Sequence, residues 1–228
     1  MTTATQSSRP ALGPGWSTLS QALVAILGLA LLGNLLNGAF SFWAWRTFSG
    51  WADEPAAVDL GQATAYDTGT AVAALVLSLV HLAVLVLMIT WLFQAHRSDR
   101  MDPSRLEHRS GWAIGGWFVP FLNLVRPYQV VEDVRVASQS SLGRQSDVVL
   151  AWRLTVVGAS IAGRVTAALV SGAGASDSET ISAIASANLS DVVGSVLWVA
   201  AAILGIVVVR STTRLVQQSP HVPVSAAA

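Results

Sequence analysis

Ionisable and amide side chains inside long apolar stretches are the residues of this 228-residue chain that are best placed to do chemistry. Arg164 lies within one such stretch, Asp191 opens the next, and His81, Asn34 and Asn37 lie within two earlier ones. Such groups are rare and costly inside a membrane, so they can mark an ion or substrate pathway, including a proton relay through His81. Two plainer interpretations stay open. Arg164 can pair with Asp191 or extend to the membrane surface, and the other polar groups can hydrogen-bond between helices.

A second candidate group combines arginines with aromatic side chains around a run rich in Gly, Trp and Pro. Its members are Arg109, Trp112, Trp117, Asn123, Arg126, Tyr128 and Arg153, with Trp152 alongside. The guanidinium group offers a planar fork of donors that suits phosphate, and basic pockets on the cytoplasmic side of a membrane bind anionic lipid headgroups. The alternative is ordinary anchoring by positive charges with an aromatic belt.

Several kinds of chemistry lack the residues they need. The chain has no Cys, and all thirteen of its basic side chains are Arg, which excludes thiolate and lysine-based catalysis. No Gly-x-Ser-x-Gly or His-Glu-x-x-His motif is present. Glu107 and His108, with His96, lack the spacing of a metal site. We therefore predict a non-enzymatic protein with no catalytic residue, no metal site and no cofactor.

Composition indicates the environment. The chain is 53% hydrophobic and 11% charged, whereas soluble domains carry about 25% charged residues. This shortfall, with a mean hydropathy of +0.56, is typical of multi-pass membrane proteins. The formal net charge is zero, so nothing favours nucleic acid as a partner. Membrane lipids, a partner membrane protein or a second copy of the chain are the expected partners.

Hydropathy predicts an all-α fold, an integral membrane four-helix bundle. The four predicted spans cover residues 17–45, 69–93, 148–170 and 189–209, and each contains at least the roughly 20 residues that cross a bilayer. Residues 1–16 and 216–228 are rich in Ser, Thr, Gln, Pro and Ala, and we predict a disordered lead and a disordered tail around the membrane domain 17–215.

The distribution of arginine predicts the orientation. Seven arginines lie between the second and third predicted spans, and the other two loops together hold only Arg46. Loops that retain positive charge stay in the cytoplasm. We therefore expect a plasma-membrane protein with a cytoplasmic central loop and two cytoplasmic termini.

The central loop contains an apolar run that is too short to cross easily. Trp112 to Val125 would reach roughly 21 Å as a helix, against a hydrocarbon core of roughly 30 Å, and Pro120 would interrupt its hydrogen bonds. A full crossing would also place Arg135 outside. We predict a re-entrant or interfacial element over 111–127, followed by an amphipathic surface helix over 128–138.

The same run carries a family resemblance. Gly111-Trp112-Ala113-Ile114-Gly115-Gly116-Trp117-Phe118-Val119-Pro120, then Asn123-Leu124 and Pro127-Tyr128-Gln129, resemble the signature of an uncharacterised family of actinobacterial multi-pass membrane proteins, a domain of unknown function. The resemblance extends from about Leu75 to the fourth predicted span. It implies a membrane location and this architecture, and it supplies no activity, substrate or catalytic residue.

Two functions follow as hypotheses. The first is binding of anionic lipid or a partner protein through the arginine and aromatic residues of the central loop. The alternative is a small transporter or channel component, in which His81, Asn123 and Arg164 would share one intramembrane polar cavity.

Overall fold

Six α-helices account for most of the residues that the structure describes. A computed structural model of the protein describes residues 11–119, 121–138, 146–172 and 176–220. Helices α1 (Gly15–Asp53), α2 (Leu60–Arg97), α5 (Asp147–Ser171) and α6 (Asp177–Gln218) are each long and apolar enough to cross a membrane. Helices α3 (Trp112–Gly115) and α4 (Arg126–Ser138) lie between α2 and α5. No strand occurs among the described residues, and the all-α membrane architecture is confirmed.

The four long helices extend beyond the predicted spans. α1 continues to Asp53, and α6 begins at Asp177 rather than near residue 189. The additional turns are stabilised by a cluster that includes Phe48, Trp51 and Ala185. Hydropathy marks only the residues that suit hydrocarbon, whereas helix formation continues wherever tertiary packing supports it.

The predicted lead and tail lie partly outside the described residues. Residues 1–10 and 221–228 are outside, but α1 already begins at Gly15. At the other end, Ser219 is 3% exposed, and its hydroxyl donates to the carbonyl oxygen of Ser138 at 2.6 Å.

The chain divides into two compact units, and each long helix contributes to both. The first unit consists of Met1–Ile26, Val84–Arg153 and Leu204–Ala228. Its core is built from large side chains that are almost completely buried: Trp16, Leu23, Met88, Trp91, Leu92, Met101, Val130, Val131, Val134, Val208, Val209 and Val216. This composition is that of the core of a soluble protein, in which burial of apolar area is the main stabilising term.

Two tryptophans fix the start of α1 against the end of α2 in the first unit. The rings of Trp16 and Trp91 stack with centroids 6.1 Å apart. The Trp16 Nε1–H donates to the Trp91 carbonyl at 3.3 Å, and the Trp91 Nε1–H donates to Ser20 Oγ at 3.1 Å. Ser20 Oγ in turn donates to the Trp16 carbonyl at 2.9 Å. These three bonds form a closed cycle, so both buried indole N–H groups have acceptors.

The second unit, Leu27–Ala83 and Leu154–Ile203, packs in a different way. Small residues allow close helix approach: a Cβ atom on Gly38 would lie 3.1 Å from Ser195 Cβ, and one on Gly69 would lie 2.7 Å from the Phe40 ring. Many of its large apolar side chains face outward, and Leu36 is 73% exposed. Helices in lipid associate in this way, because lipid solvates leucine as well as a protein core does.

The central segment is not one helix. After α3 the chain makes turns and a short 3₁₀ helix, Leu122–Leu124, before α4 begins. Phe121 has a φ of 63°, and its side chain is 85% exposed. Phe118 is 66% exposed. The structure thus presents two aromatic rings on an irregular segment, and its re-entrant or interfacial placement stays a prediction.

Helix α4 is more buried than a surface helix would be. Val130, Val131 and Val134 are fully buried, and Asp133 between them is 0% exposed as well. Residues on more than one side of α4 therefore pack inside the first unit.

Candidate functional site

A buried carboxylate on α4 organises the polar part of the first unit. Asp133 Oδ2 accepts from the backbone N–H of His108 at 2.9 Å and contacts His108 Nδ1 at 2.7 Å. The His108 side chain is 12% exposed. A buried carboxylate is stable only with hydrogen bonds or a partner charge, so Asp133 fixes the segment before α3 onto α4.

Arg126 determines which nitrogen of His108 carries a proton. Its guanidinium Nη1 is hydrogen-bonded to His108 Nε2 and donates to Gln129 Oε1 at 3.0 Å. Because a guanidinium can only donate, Nε2 is the acceptor, and Nδ1–H donates to Asp133. The Arg126 guanidinium also lies over the Trp112 ring, 5.2 Å from its centroid. Asp133, His108 and Arg126 thus form a continuous hydrogen-bonded relay that ends on an aromatic face.

An open cavity of about 290 Å³ adjoins this relay. Its charged lining residues are Glu107, Glu132 and Arg153. The Arg153 Nε–H donates to the Leu124 carbonyl at 3.1 Å. One arginine and two carboxylates thus line the same cavity, and Glu132 Oε1 also accepts from the backbone N–H of Ser146 at 3.1 Å.

Tyr128 and Trp152 form the aromatic side of this site. Their rings meet edge to face with centroids 4.9 Å apart, and Tyr128 lines the cavity. Burial raises the pKa of the Tyr128 hydroxyl well above its usual value, and the positive charge of Arg153 opposes part of that rise. Tyr128 therefore acts as a neutral, rigid wall at physiological pH.

Three side chains at this site are of types that commonly bind metal ions. Atoms of Glu107, His108 and Asp133 that could bind a metal lie within 4.8 Å of one another. Both His108 nitrogens already have partners, however, and one of these is the cationic Arg126. A second cation there would be repelled by the guanidinium, so the geometry favours the hydrogen-bonded relay.

Other predicted members of the cluster lie at the margin of this site. Arg109 and Asn123 are exposed, and Trp117 is half-buried. The Trp117 Nε1 atom is buried without a hydrogen-bond acceptor among the described residues. The structure thus brings four of the seven predicted residues close to the relay, namely Trp112, Arg126, Tyr128 and Arg153.

In the second unit, Asp191 is bound by side chains of α1. Asp191 Oδ2 accepts from Asn37 Nδ2 at 2.7 Å and from Ser41 Oγ at 2.6 Å. The Asn37 amide also donates to Ser195 Oγ at 3.1 Å. These residues meet in space although more than 150 positions separate Asn37 from Asp191.

The remaining predicted intramembrane residues lie elsewhere. The His81 ring packs against Trp198 with centroids 4.7 Å apart, and Arg164 is exposed. Asn34 is 3% exposed, and its amide donates to the Ala30 carbonyl of its own helix at 2.7 Å. None of the three lines the cavity beside Asp191.

Sequence reasoning missed Asp133 and Glu132, although it considered His108. The available signal was a pair of carboxylates inside the run Val130-Val131-Glu132-Asp133-Val134. An amphipathic surface helix over 128–138, as predicted, would leave both carboxylates on its polar face, where a carboxylate needs no partner.

These features define the class of this protein: an all-α, multi-pass membrane protein. Residues 54–214 match the family model described as Domain of unknown function (DUF4328). The match covers more than half of the chain, so the chain belongs to the DUF4328 family. No curated protein and no solved structure matches it. Membership of an uncharacterised family is thereby confirmed, whereas the actinobacterial source and the signature motif stay predictions.

Proposed function

We propose that this protein is a non-enzymatic membrane protein that binds a lipid headgroup in the cavity lined by Glu107, Glu132 and Arg153. The observation that carries the proposal is the pairing of an arginine fork with two carboxylates in one open cavity. A guanidinium binds phosphate, and a carboxylate binds ammonium. A zwitterionic headgroup that contains both, such as phosphoethanolamine, complements this lining better than a purely anionic one.

The position of the cavity on α5 supports a lipid ligand. Ser146, Val149, Leu150 and Arg153 line it, and α5 begins at Asp147. Arg153 therefore lies about 9 Å along the helix from its start, and if α5 spans the bilayer, its long side chain can extend back toward the headgroups.

The exposed rings of Phe118 and Phe121 give further support. An aromatic side chain that is 85% exposed to water is unfavourable, and a φ of 63° adds strain at Phe121. Insertion of both rings into the interfacial region of the membrane would remove the cost of exposing them to water. The same insertion would hold the mouth of the cavity at the membrane surface.

Lipid-dependent stabilisation of the purified full-length protein tests the proposal. We expect phosphatidylethanolamine to raise Tm in detergent saturably, and more than phosphatidylglycerol or phosphatidylcholine of the same acyl chains does. Arg153→Gln should abolish that preference by removing the stabilisation itself, because all three lipids contain the phosphate that the guanidinium would bind and a neutral amide cannot bind it in a bidentate manner. Glu132→Gln should weaken the response to phosphatidylethanolamine and improve the response to phosphatidylglycerol.

Arg46→Gln is the matched control, since Arg46 is an exposed arginine of the second unit. It should respond to all three lipids as wild type does. Equal stabilisation by the three lipids, or a preference that survives Arg153→Gln, would show that the cavity does not bind a headgroup. A partner protein would then become the better hypothesis.

A further inference from the structure

A carboxylate in the second unit lies within a stretch that hydropathy assigns to the membrane. Asp191 is half-buried on α6, at the start of the fourth predicted span. Asn37 and Ser41 both donate to its Oδ2 atom, and no described donor reaches Oδ1. Two neutral hydrogen bonds stabilise an ionised carboxylate only in part when water is excluded.

Among the residues that the structure describes, no cationic side chain forms an ion pair with Asp191 to balance its charge. Arg164, the sequence-predicted partner, is exposed, and no ion pair between it and Asp191 is formed in the described part of the chain. An intramembrane carboxylate without a protein counter-charge is a candidate for binding a cation from outside the protein.

A cavity of about 260 Å³ opens beside this carboxylate. Besides Asn37, Ser41 and Asp191, it is lined by oxygen-bearing side chains of Tyr66, Thr70, Thr166 and Asn188. The Asn188 amide donates to the Tyr66 hydroxyl oxygen at 3.1 Å. The cavity thus combines one negative charge with several neutral oxygens, while Phe40 and Leu77 supply apolar walls.

The lining indicates the charge of the ligand. Sites for Ca²⁺ take six to eight oxygens, commonly from several carboxylates. Here a single carboxylate would balance one positive charge, and hydroxyl and amide oxygens would replace part of the ion's water. We propose that the Asp191 cavity binds a small monovalent cation, either a partly hydrated alkali ion or a small primary ammonium ion. This site is separate from the proposed lipid site and does not depend on it.

Cation-dependent stability of the full-length protein in detergent tests the proposal. Tm would be measured in NaCl, KCl and methylammonium chloride, with choline chloride keeping the ionic strength constant. We expect a saturable rise in Tm with at least one of these cations and not with choline. Saturation by methylammonium alone would assign an amine ligand, and saturation by Na⁺ or K⁺ would assign an alkali ion.

Three variants assign the effect to this cavity. Asp191→Asn is nearly isosteric and should abolish the cation response. Ser41→Ala should raise the half-saturating concentration about tenfold, because it removes one of the hydroxyl oxygens that line the cavity and would replace part of the ion's water. Ser160→Ala is the matched control: its hydroxyl donates to the Val156 carbonyl of its own helix at 2.8 Å, so it should titrate as wild type does.

The results separate a cation site from a structural hydrogen-bond cluster. If Tm is the same in all four salts, or if Asp191→Asn keeps the saturable response, the carboxylate serves only helix packing and the proposal fails. Should Asp191→Asn not yield folded protein, the comparison of Ser41→Ala with Ser160→Ala decides. An unchanged half-saturating concentration in Ser41→Ala would then overturn the proposal.

Discussion

At the scale of single residues, the relay from Asp133 through His108 to Arg126 is the most constrained feature of the first unit. Asp133 is fully buried, and its contact with His108 bridges 25 positions of the chain. A hydrogen bond to a charged group contributes more than a neutral one, and its loss leaves the buried partner unsatisfied.

We therefore expect His108→Ala to lower the free energy of unfolding by about 2 kcal/mol, or Tm by roughly 4–8 °C. Thermal melts in detergent would measure the loss. Asp133→Asn should show a similar loss, and the double variant should lose less than the sum, because the two residues share one interaction. Strictly additive losses would contradict the relay.

Tyr128 leads to a prediction at alkaline pH. Its pKa in the folded protein is raised above the usual value of 10.0, so above pH 10 the unfolded chain loses a proton that the folded chain keeps. The contribution of Tyr128 to stability is therefore complete below pH 10 and decreases as the pH rises above 10. Tyr128→Phe should flatten this decline in Tm between pH 9 and 11, and identical pH profiles for variant and wild type would exclude the effect.

At the scale of elements, the turn after α3 depends on one of two adjacent glycines. A Cβ atom on Gly116 would lie 2.7 Å from the Trp112 carbonyl oxygen and 2.9 Å from Arg126 Cβ, whereas one on Gly115 would contact nothing within 4 Å. The close approach of α3 to the start of α4 is what places the Arg126 guanidinium over Trp112.

Gly116→Ala should therefore destabilise the protein by about 1–3 kcal/mol, and Gly115→Ala should change stability little. Comparing the Tm of the two variants isolates packing from the general effect of removing a glycine, because both substitutions make the same change in the unfolded chain. Equal effects would indicate that α3 is not closely packed on α4.

The elements also show what sequence could and could not predict. The four spans were predictable because a backbone in lipid must form helices that are long and apolar. The contacts of His108 with Asp133, and of Asn37 with Asp191, were not, because hydropathy does not specify which faces of distant segments meet. The cost of a carboxylate in the membrane was enough to identify Asp191 as a candidate residue. That argument could not identify Asn37 and Ser41 as its hydrogen-bond partners.

At the scale of the whole molecule, the predicted orientation can be measured directly, because the native chain has no Cys. Three variants would each carry one Cys at an exposed position: Val58 between α1 and α2, Ser176 between α5 and α6, or Pro103 between α2 and α3. In intact cells, a membrane-impermeant thiol reagent should label positions 58 and 176, and position 103 only after permeabilisation. Phe121→Cys should behave like position 103, and labelling of it from outside would mean that the central segment crosses the membrane.

The cycle of hydrogen bonds among Trp16, Ser20 and Trp91 bears on the order in which the helices associate during biosynthesis. All three residues precede the end of α2 at Arg97, so this pair of helices can associate while the ribosome is still making the rest of the chain. Asn37 and Ser41 cannot form their hydrogen bonds to Asp191 until α6 has been synthesised and inserted. The second unit would therefore be completed only when the last helix inserts. A chain truncated before α6 would contain the tryptophan cycle but not the cavity beside Asp191.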